Sequence, residues 1–406
     1  MGSAGIRRSY YICPDGHGCW RRHHLWRRPV DDRGRPEAGA ILVEMSSLDV
    51  PSLRLRNQHL TGSPFESAQD VVRWLGAVQA QDYAGAKWAV GMRTRGRVGD
   101  AAVERALREG AILRTHVLRP TWHFVTAADI RWMLALTARR VKAAMAYYDR
   151  QLELDDAVFR RSHAALTRAL RGGHELTRSE LGQVLRRARV GETRSQRLGH
   201  LLMRAELDAV VCSGARRGKQ ATYALLEERV PPAPAHSPDR DEALLELTRR
   251  YFVTRGPATL KDFAWWSGLT VADASRGVQI AGQSLERELI GDETYWSDAR
   301  ARSQRKSSVM AHLLPNYDEY FIGFKNRSAI EQRLGAPAVM MRDALPPHIV
   351  VVDGQVVGRW SRTLTKTTVA IRLRLLTSLT GVERKAVASA ARGLGRFLGL
   401  RVELGT

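Results

Sequence analysis

Runs of apolar residues at helical spacing alternate along this chain with short branched stretches, and the alternation occurs three times. Ser67-Ala68-Gln69-Asp70, followed by Val71, Val72, Trp74 and Leu75, predicts a helix opened by a capping box. Val78-Gln79-Ala80-Gln81-Asp82-Tyr83 comes next, then a short amphipathic stretch over 87–92. Asp100 is expected to cap a helix through Leu107 that ends at Gly110. Segments 113–118 and 121–125 are β-rich and are separated by Arg119-Pro120. Helix, helix, hairpin is the order of a winged helix-turn-helix. Thr126 is expected to start a long helix through Tyr148, with Ile130, Met133, Leu134 and Val141 on one face.

The order then returns. Leu176-Thr177-Arg178-Ser179-Glu180-Leu181 predicts a capped helix through Arg189, and 194–207 a second one. Strands over 209–213 and 222–226 flank a basic tip, 214–219, before a Pro-rich linker at 231–234. A third copy has helices over 242–252, from Thr259 through Trp266, and over 271–281, with Gly268-Leu269-Thr270 as the tight turn. The last hundred residues differ. They hold the aromatic–acidic cluster Tyr317-Asp318-Glu319-Tyr320 and a hairpin over 349–358 turning at Asp353-Gly354. A basic strand over 368–376 and a closing helix over 381–399 follow. These patterns divide the chain into 1–44, 45–155, 156–235, 236–300 and 301–406, an α+β protein that is mainly α. Residues 1–44 lack a clean period. Met45 reads as the true start, which would make the upstream part a misread extension or a disordered arm.

Charge adds a partner. The 406 residues carry 64 Lys plus Arg against 42 Asp plus Glu, a formal net charge of +22. Such an excess favours a polyanion, with nucleic acid ahead of an acidic membrane surface; heavy Arg usage on a solvated surface is the plainer explanation. The excess is uneven: +3, +5, +7, −3 and +10 over the five segments in order. The third helical copy is therefore expected to be a scaffold between basic neighbours. No stretch is apolar and long enough for a membrane span. Three cysteines, Cys13, Cys19 and Cys212, make no disulfide framework and point to the cytoplasm, with the nucleoid as the expected association. Cys13, His17, Cys19, His23 and His24 fit no usual zinc spacing, and no metal or cofactor is expected. Cys212, beside Val210 and Val211, reads as a small core residue.

Phosphate-loop, metalloprotease and nucleophile-elbow motifs are missing from the sequence. The pair Gln79 and Gln81 stands out instead. In extended backbone the two amides face one side, with Ala80 turned inward. The alternative is that both cap or bridge backbone groups in a loop.

Several blocks resemble the AlkZ-type winged-helix DNA glycosylases. Leu75-Gly76-Ala77-Val78-Gln79-Ala80-Gln81-Asp82-Tyr83 is similar to that family's Gln–aliphatic–Gln signature. Leu118-Arg119-Pro120-Thr121-Trp122-His123-Phe124-Val125 resembles its first wing, and the segment from Gly256 to Gly268 its third helix-turn-helix. Leu314-Pro315-Asn316-Tyr317-Asp318-Glu319-Tyr320 and the Asp353-Gly354 hairpin resemble its C-terminal part. The likeness covers about residues 50 to 400. It implies tandem winged helices in a C-shaped body, acting as a monomer without cofactor on double-stranded DNA that contains an alkylated purine. The implied reaction is hydrolysis of the N-glycosidic bond of N7-alkylated purines, including bulky adducts and interstrand crosslinks, in repair or in self-resistance to a DNA-alkylating natural product. Gln79 and Gln81 would be the catalytic pair.

N7-alkylguanine is already cationic and leaves without a strong acid. An amide is a poor base, but a pair of them can set a water. Asp82, as a hidden base, would point away from the pair. Arg216, Arg217 and Lys219 at the second wing tip suit phosphate. Arg359 and Arg362 after the hairpin could flank a lesion. Each of the five also reads as an ordinary solvated charge. Trp122, Trp265 and Trp266 read as core rather than base-stacking residues, and His123 as a strand histidine. The rival functions are a DNA-binding regulator and a protein that sequesters a toxic natural product.

Overall fold

The structure, a computed structural model, describes residues 49–405 apart from 63, 97, 192–194, 231, 233–236, 300–307 and 336–346. The N-terminal extension, Met45 and the histidines and cysteines before it lie outside the described residues, as does most of the 231–234 linker.

Chain order begins with α1 (Val50–Asn57), α2 (Ala68–Leu75), β1 (Val78–Gln79), α3 (Tyr83–Gly91), α4 (Asp100–Arg108), β2 (Ile112–His116), β3 (Trp122–Thr126) and α5 (Ile130–Gln151). Ser67 caps α2, its hydroxyl accepting from the Asp70 N–H at 3.1 Å, but the expected box is only half formed, because the Asp70 carboxylate accepts from the Ser67 hydroxyl at 2.6 Å. Asp100 does not cap α4. Gly99 occupies the cap, and the Asp100 carboxylate accepts from Lys87 at 2.8 Å. Thr126 likewise ends β3 rather than starting α5; its hydroxyl donates to Asp129 at 2.6 Å, and the helix begins at Ile130. The three strands form one antiparallel sheet in the order β1-β3-β2.

The second stretch contains α6 (Asp156–Leu170), β4 (Leu176–Thr177), α7 (Arg178–Arg187), α8 (Ser195–Leu207), β5 (Val211–Ser213), β6 (Thr222–Leu225) and the short α9 (Leu226–Arg229). Thr177 and Glu180 make a complete capping box on α7. The third stretch holds α10 (Arg240–Arg255), α11 (Leu260–Ser267), α12 (Val271–Ala281), β7 (Leu285–Ile290) and β8 (Glu293–Asp298). Thr259 boxes α11 with Asp262, and Thr270 boxes α12 with Asp273. Between those helices Gly268 has φ +69°, and a Cβ there would sit 2.0 Å from the Leu118 carbonyl. The turn is therefore seated against the β2–β3 loop.

The C-terminal part comprises β9 (Ala311–Leu314), α13 (Glu319–Ile322), β10 (Ile349–Val352), β11 (Gln355–Leu364), β12 (Thr368–Leu375), α14 (Gly381–Leu398) and β13 (Arg401–Gly405). Its strands build a five-stranded sheet, β13-β12-β11-β10-β9, in which only β12 and β13 run parallel. Asp353 (φ 47°) and Gly354 (φ 83°) turn β10 into β11, the pair of positive angles a type I′ turn requires.

Residues Leu48–Thr406 group as one unit. Their cores cross the divisions drawn from sequence. One core joins Ala77, Leu113 and Val125 to Tyr251, Phe263 and Trp266 of the third stretch. Another joins Val72, Val78 and Phe124 to Leu313, Val350 and Leu394. The first small sheet is thus held between the third stretch on one face and the C-terminal sheet on the other.

Candidate active site

Gln79 is placed by an alternation that the sheet enforces. In β1, Val78 pairs with Phe124 and Gln79 with His123. Val78 and Phe124, both 0% exposed, fill the core on one face, so Gln79 and His123 take the other. The Ala80 N–H extends the pairing by donating to the Trp122 carbonyl at 2.7 Å. Gln79 and Ala80 are both buried, and Gln81 is exposed in the bend that follows β1. Asp82 then caps α3, accepting from the Gly85 N–H at 3.0 Å, so its carboxylate is committed to the helix start.

The strand is clamped by charges from far along the chain. The Gln79 main-chain N–H donates to Glu319 Oε1 at 2.9 Å. Glu319 Oε2 accepts from Arg255 Nη2 at 2.7 Å, Arg255 Nε at 3.1 Å and Trp266 Nε1 at 2.9 Å. Arg255 also donates to the carbonyls of Leu75 at 2.9 Å and Ala77 at 3.1 Å. Glu319 and Arg255 are both fully buried. A second buried pair lies one residue away: Arg93 donates to both Asp318 oxygens at 2.9 Å and to the Gln58 carbonyl at 3.0 Å. Such pairs fix geometry more than they add stability, because desolvation offsets much of the attraction.

Beyond Gln81, the Ala80 carbonyl accepts from Arg114 Nε at 3.1 Å and Nη2 at 3.0 Å. The Arg114 guanidinium lies 4.2 Å over the Trp122 ring. Burial depresses its pKa, with the Glu206 charge working in the opposite direction. Tyr83 donates to Glu104 at 2.9 Å, and burial together with that carboxylate pushes its phenol up. A cavity of about 30 Å³ lies among Tyr83, Arg114, Trp122, Glu206, Arg216 and Tyr223.

The expected DNA-contacting residues are spread differently from one another. Arg216 turns inward from the tip between β5 and β6 and stacks 4.3 Å over the Tyr83 ring, beside Glu104 at 3.9 Å. Arg217 is exposed but pairs with Glu180 at 2.8 Å, and Lys219 is exposed at the tip. Arg362, on β11, is drawn toward the Gln segment. Burial lowers its pKa while the charges of Asp82 and Asp100 oppose that shift. His348 belongs to the same neighbourhood; its Nδ1 accepts from the Asn316 N–H at 2.7 Å, and its ring lies 4.7 Å from that of Trp360. Arg359 is part-buried and sits opposite Arg374 of β12.

Of the three tryptophans read as core, Trp266 is fully buried and Trp122 part-buried, but Trp265 is 43% exposed and holds on through a 3.1 Å bond to the Ile322 carbonyl. His123 is a buried strand residue whose pKa lies well below its usual range, from burial and then from the nearby Arg119 charge. Cys212 is buried, which pushes its thiol up to about 12, as befits a small core residue. Among the described residues no three His, Cys, Asp or Glu side chains gather as metal ligands, and no helix is long and apolar enough to cross a membrane.

Sequence reasoning missed the clamp. Glu319 was visible only as part of an aromatic–acidic cluster, and Arg255 was not singled out. A buried charge has no periodic signature, so neither could be assigned a partner from sequence.

A family model for DNA glycosylase AlkZ-like proteins matches residues 72–397. The chain belongs to that family. The AlkZ-like match spans β1 and both halves of its clamp. Among curated proteins, an interstrand DNA cross-link repair glycosylase from Streptomyces sahachiroi is 26% identical over 328 residues, which is 76% of this chain and 85% of the relative. The solved structure of the Streptomyces sahachiroi DNA glycosylase AlkZ superposes with a TM-score of 0.73, at 23% identity, covering 88% of this chain and 98% of that one. The AlkZ fold is therefore shared across nearly the whole described chain.

Proposed function

We propose that this protein is a monomeric DNA glycosylase that hydrolyses the N-glycosidic bond of N7-alkylated purines in double-stranded DNA, with Gln79 and Gln81 setting the attacking water. The observation that carries this is the Gln79–Glu319 clamp. It commits a buried carboxylate and a buried guanidinium to holding one short strand, with an exposed glutamine, Gln81, in the bend that follows it. The curated relative's name supports crosslinked substrates.

The chemistry asks little of the protein. An N7-alkylpurine carries a positive charge. As the bond from N9 to C1′ breaks, its electron pair neutralises that charge and the base leaves neutral. The sugar becomes oxocarbenium-like, water oxygen bonds C1′ from the opposite face, and the water's proton passes to solvent. Two amides can hold that water by donating to it and accepting from it. The three helix-plus-small-sheet stretches are read as tandem winged helices. Lys219, with Arg217, Arg359 and Arg362, supplies phosphate contacts, and Arg216 lines the site.

The test uses duplex DNA bearing N7-methylguanine or a nitrogen-mustard adduct. The wild-type protein releases the modified base, whereas the Gln79→Ala, Gln81→Ala double variant binds the DNA without releasing it. Equal release by the double variant would remove the pair from the mechanism. Intact DNA with the wild-type protein on every alkylated substrate would favour a DNA-binding protein without glycosylase activity.

A further inference from the structure

Three residues form one transverse row across the first small sheet. Gln79 of β1 pairs with His123 of β3, and His123 pairs with Thr115 of β2. In-register neighbours share a face, with Cβ atoms about 5 Å apart. The neighbouring row, Val78, Phe124 and Arg114, points the other way. All three side chains of the first row are at least nine-tenths buried: Thr115 and His123 are 0% exposed and Gln79 is 6% exposed. Each carries a buried polar atom that no protein group engages: Thr115 Oγ1, His123 Nε2 and Gln79 Oε1. A buried polar group left unpaired is destabilising, and three in a row call for a common partner.

We propose that Gln79, His123 and Thr115 hold a water between them, and that through it His123 is the positioning residue for the Gln79 amide. Hydrogen-bond capacity dictates the partner. His123 Nδ1 lies 2.9 Å from the Thr121 carbonyl, which can only accept. Nδ1 therefore carries the proton and Nε2 offers a lone pair. Gln79 turns Oε1, which offers lone pairs as well, toward the same buried space, so in this orientation the two atoms cannot satisfy each other. Water has two protons to donate, one to each, and a lone pair left for the Thr115 hydroxyl proton. All three atoms are then satisfied by one molecule, within the two to four bonds a buried water makes. With its oxygen engaged inward, the Gln79 amide turns its N–H side to the opening, where Gln81 is exposed. The pair then divides its work: Gln79 donates to the attacking water, and Gln81 accepts from it. This division rests on the glycosylase reading given above; the row and its tautomer do not.

Two measurements test the inference. In wild-type protein, imidazole ¹⁵N shifts at neutral pH are expected to show His123 protonated at Nδ1 and bare at Nε2; a proton on Nε2 would overturn the proposal whatever the activity. In single-turnover cleavage of N7-methylguanine DNA, His123→Ala is expected to slow release by up to about 100-fold, the cost of a misplaced catalytic group. DNA affinity should be unchanged, and His123→Gln, whose amide oxygen reaches toward the Nε2 position, should restore most of the rate. Thr115→Val is expected to lose rate and Thr115→Ser to keep most of it. In a Gln79→Ala background, His123→Ala should cost nothing more. A full loss in that background, or wild-type speed for His123→Ala alone, would sink the idea. Wild-type protein inert on all substrates would instead count against the glycosylase reading, with the tautomer still deciding the row.

Discussion

Glu319 receives the main-chain N–H of Gln79 across 240 positions of sequence, at 2.9 Å, with its other oxygen saturated by Arg255 and Trp266. Removing the carboxylate leaves the Arg255 charge buried and unpaired. Glu319→Ala is expected to cost about 3–5 kcal/mol of stability, read as a lowered urea midpoint. Glu319→Gln keeps an acceptor for Gln79. It should retain more base release than the alanine variant at equal folded fraction, although it too is less stable.

A second prediction concerns Gly85, which follows the Asp82 cap. A Cβ at this position would lie 2.7 Å from Asp82 Oδ2 and 3.1 Å from Pro315 Cβ. Gly85→Ala should displace the cap next to Gln81 and slow base release more than it lowers the melting temperature. Single-turnover kinetics set against a thermal melt would show the split.

Acid should weaken the fold through His312. Burial brings its pKa down to about 4, with the Arg93 charge adding to the shift. The unfolded chain takes up this proton near pH 6.5, whereas the folded chain resists until about 4. Between those values the unfolded state binds more protons, so stability falls as pH drops through the window and levels off below it. The loss from this group is on the order of 3 kcal/mol. Urea midpoints from pH 7.5 down to 4.5 should drop for the wild-type protein and drop less steeply for His312→Asn.

Salt dependence should distinguish the basic stretches from the acidic one. Lys219→Ala, Arg359→Ala and Arg362→Ala are each expected to flatten the dependence of DNA affinity on salt, by about one unit of slope for each phosphate no longer neutralised. Arg276 and Arg240 are paired with Asp241 at 2.7 Å and Asp273 at 2.6 Å. Their replacement should leave the slope where it was. Arg217→Ala should have a larger effect than its charge alone suggests, because it also frees Glu180 to repel the DNA backbone.

Many local signals were legible in the sequence where the determining residues are neighbours, although the helix starts read at Asp100 and Thr126 were misplaced. The Thr177/Glu180 box, the helix start at Thr259 and the turn ending at Thr270 place their helices to within a few residues, and the Asp353-Gly354 turn announces its hairpin. The Gln79–Ala80–Gln81 segment was legible only in part: Ala80 is buried as expected, but Gln79 is buried too and Gln81 lies in the bend after β1. Elements whose pattern is blurred by charge escaped. In β7, Leu285 is buried but the next four residues are exposed, so no strand alternation shows. Arg216 illustrates a different limit. Its tip looked like a phosphate contact, but Tyr83 and Glu104, which capture it, lie more than a hundred positions earlier. Aromatic and acidic partners of that kind are chosen by packing between stretches, which no window along the chain can display.

The length of the Gln79–Glu319 bond in sequence also dictates when the site can exist. A ribosome adding about 5–20 residues per second needs on the order of 10–50 s to travel from one partner to the other. Throughout that interval the nascent first sheet carries its glutamines without the carboxylate that seats them. A chain cut short before Glu319 would contain every residue of the proposed catalytic row and still be unable to arrange it. During synthesis, competence therefore arrives late and all at once.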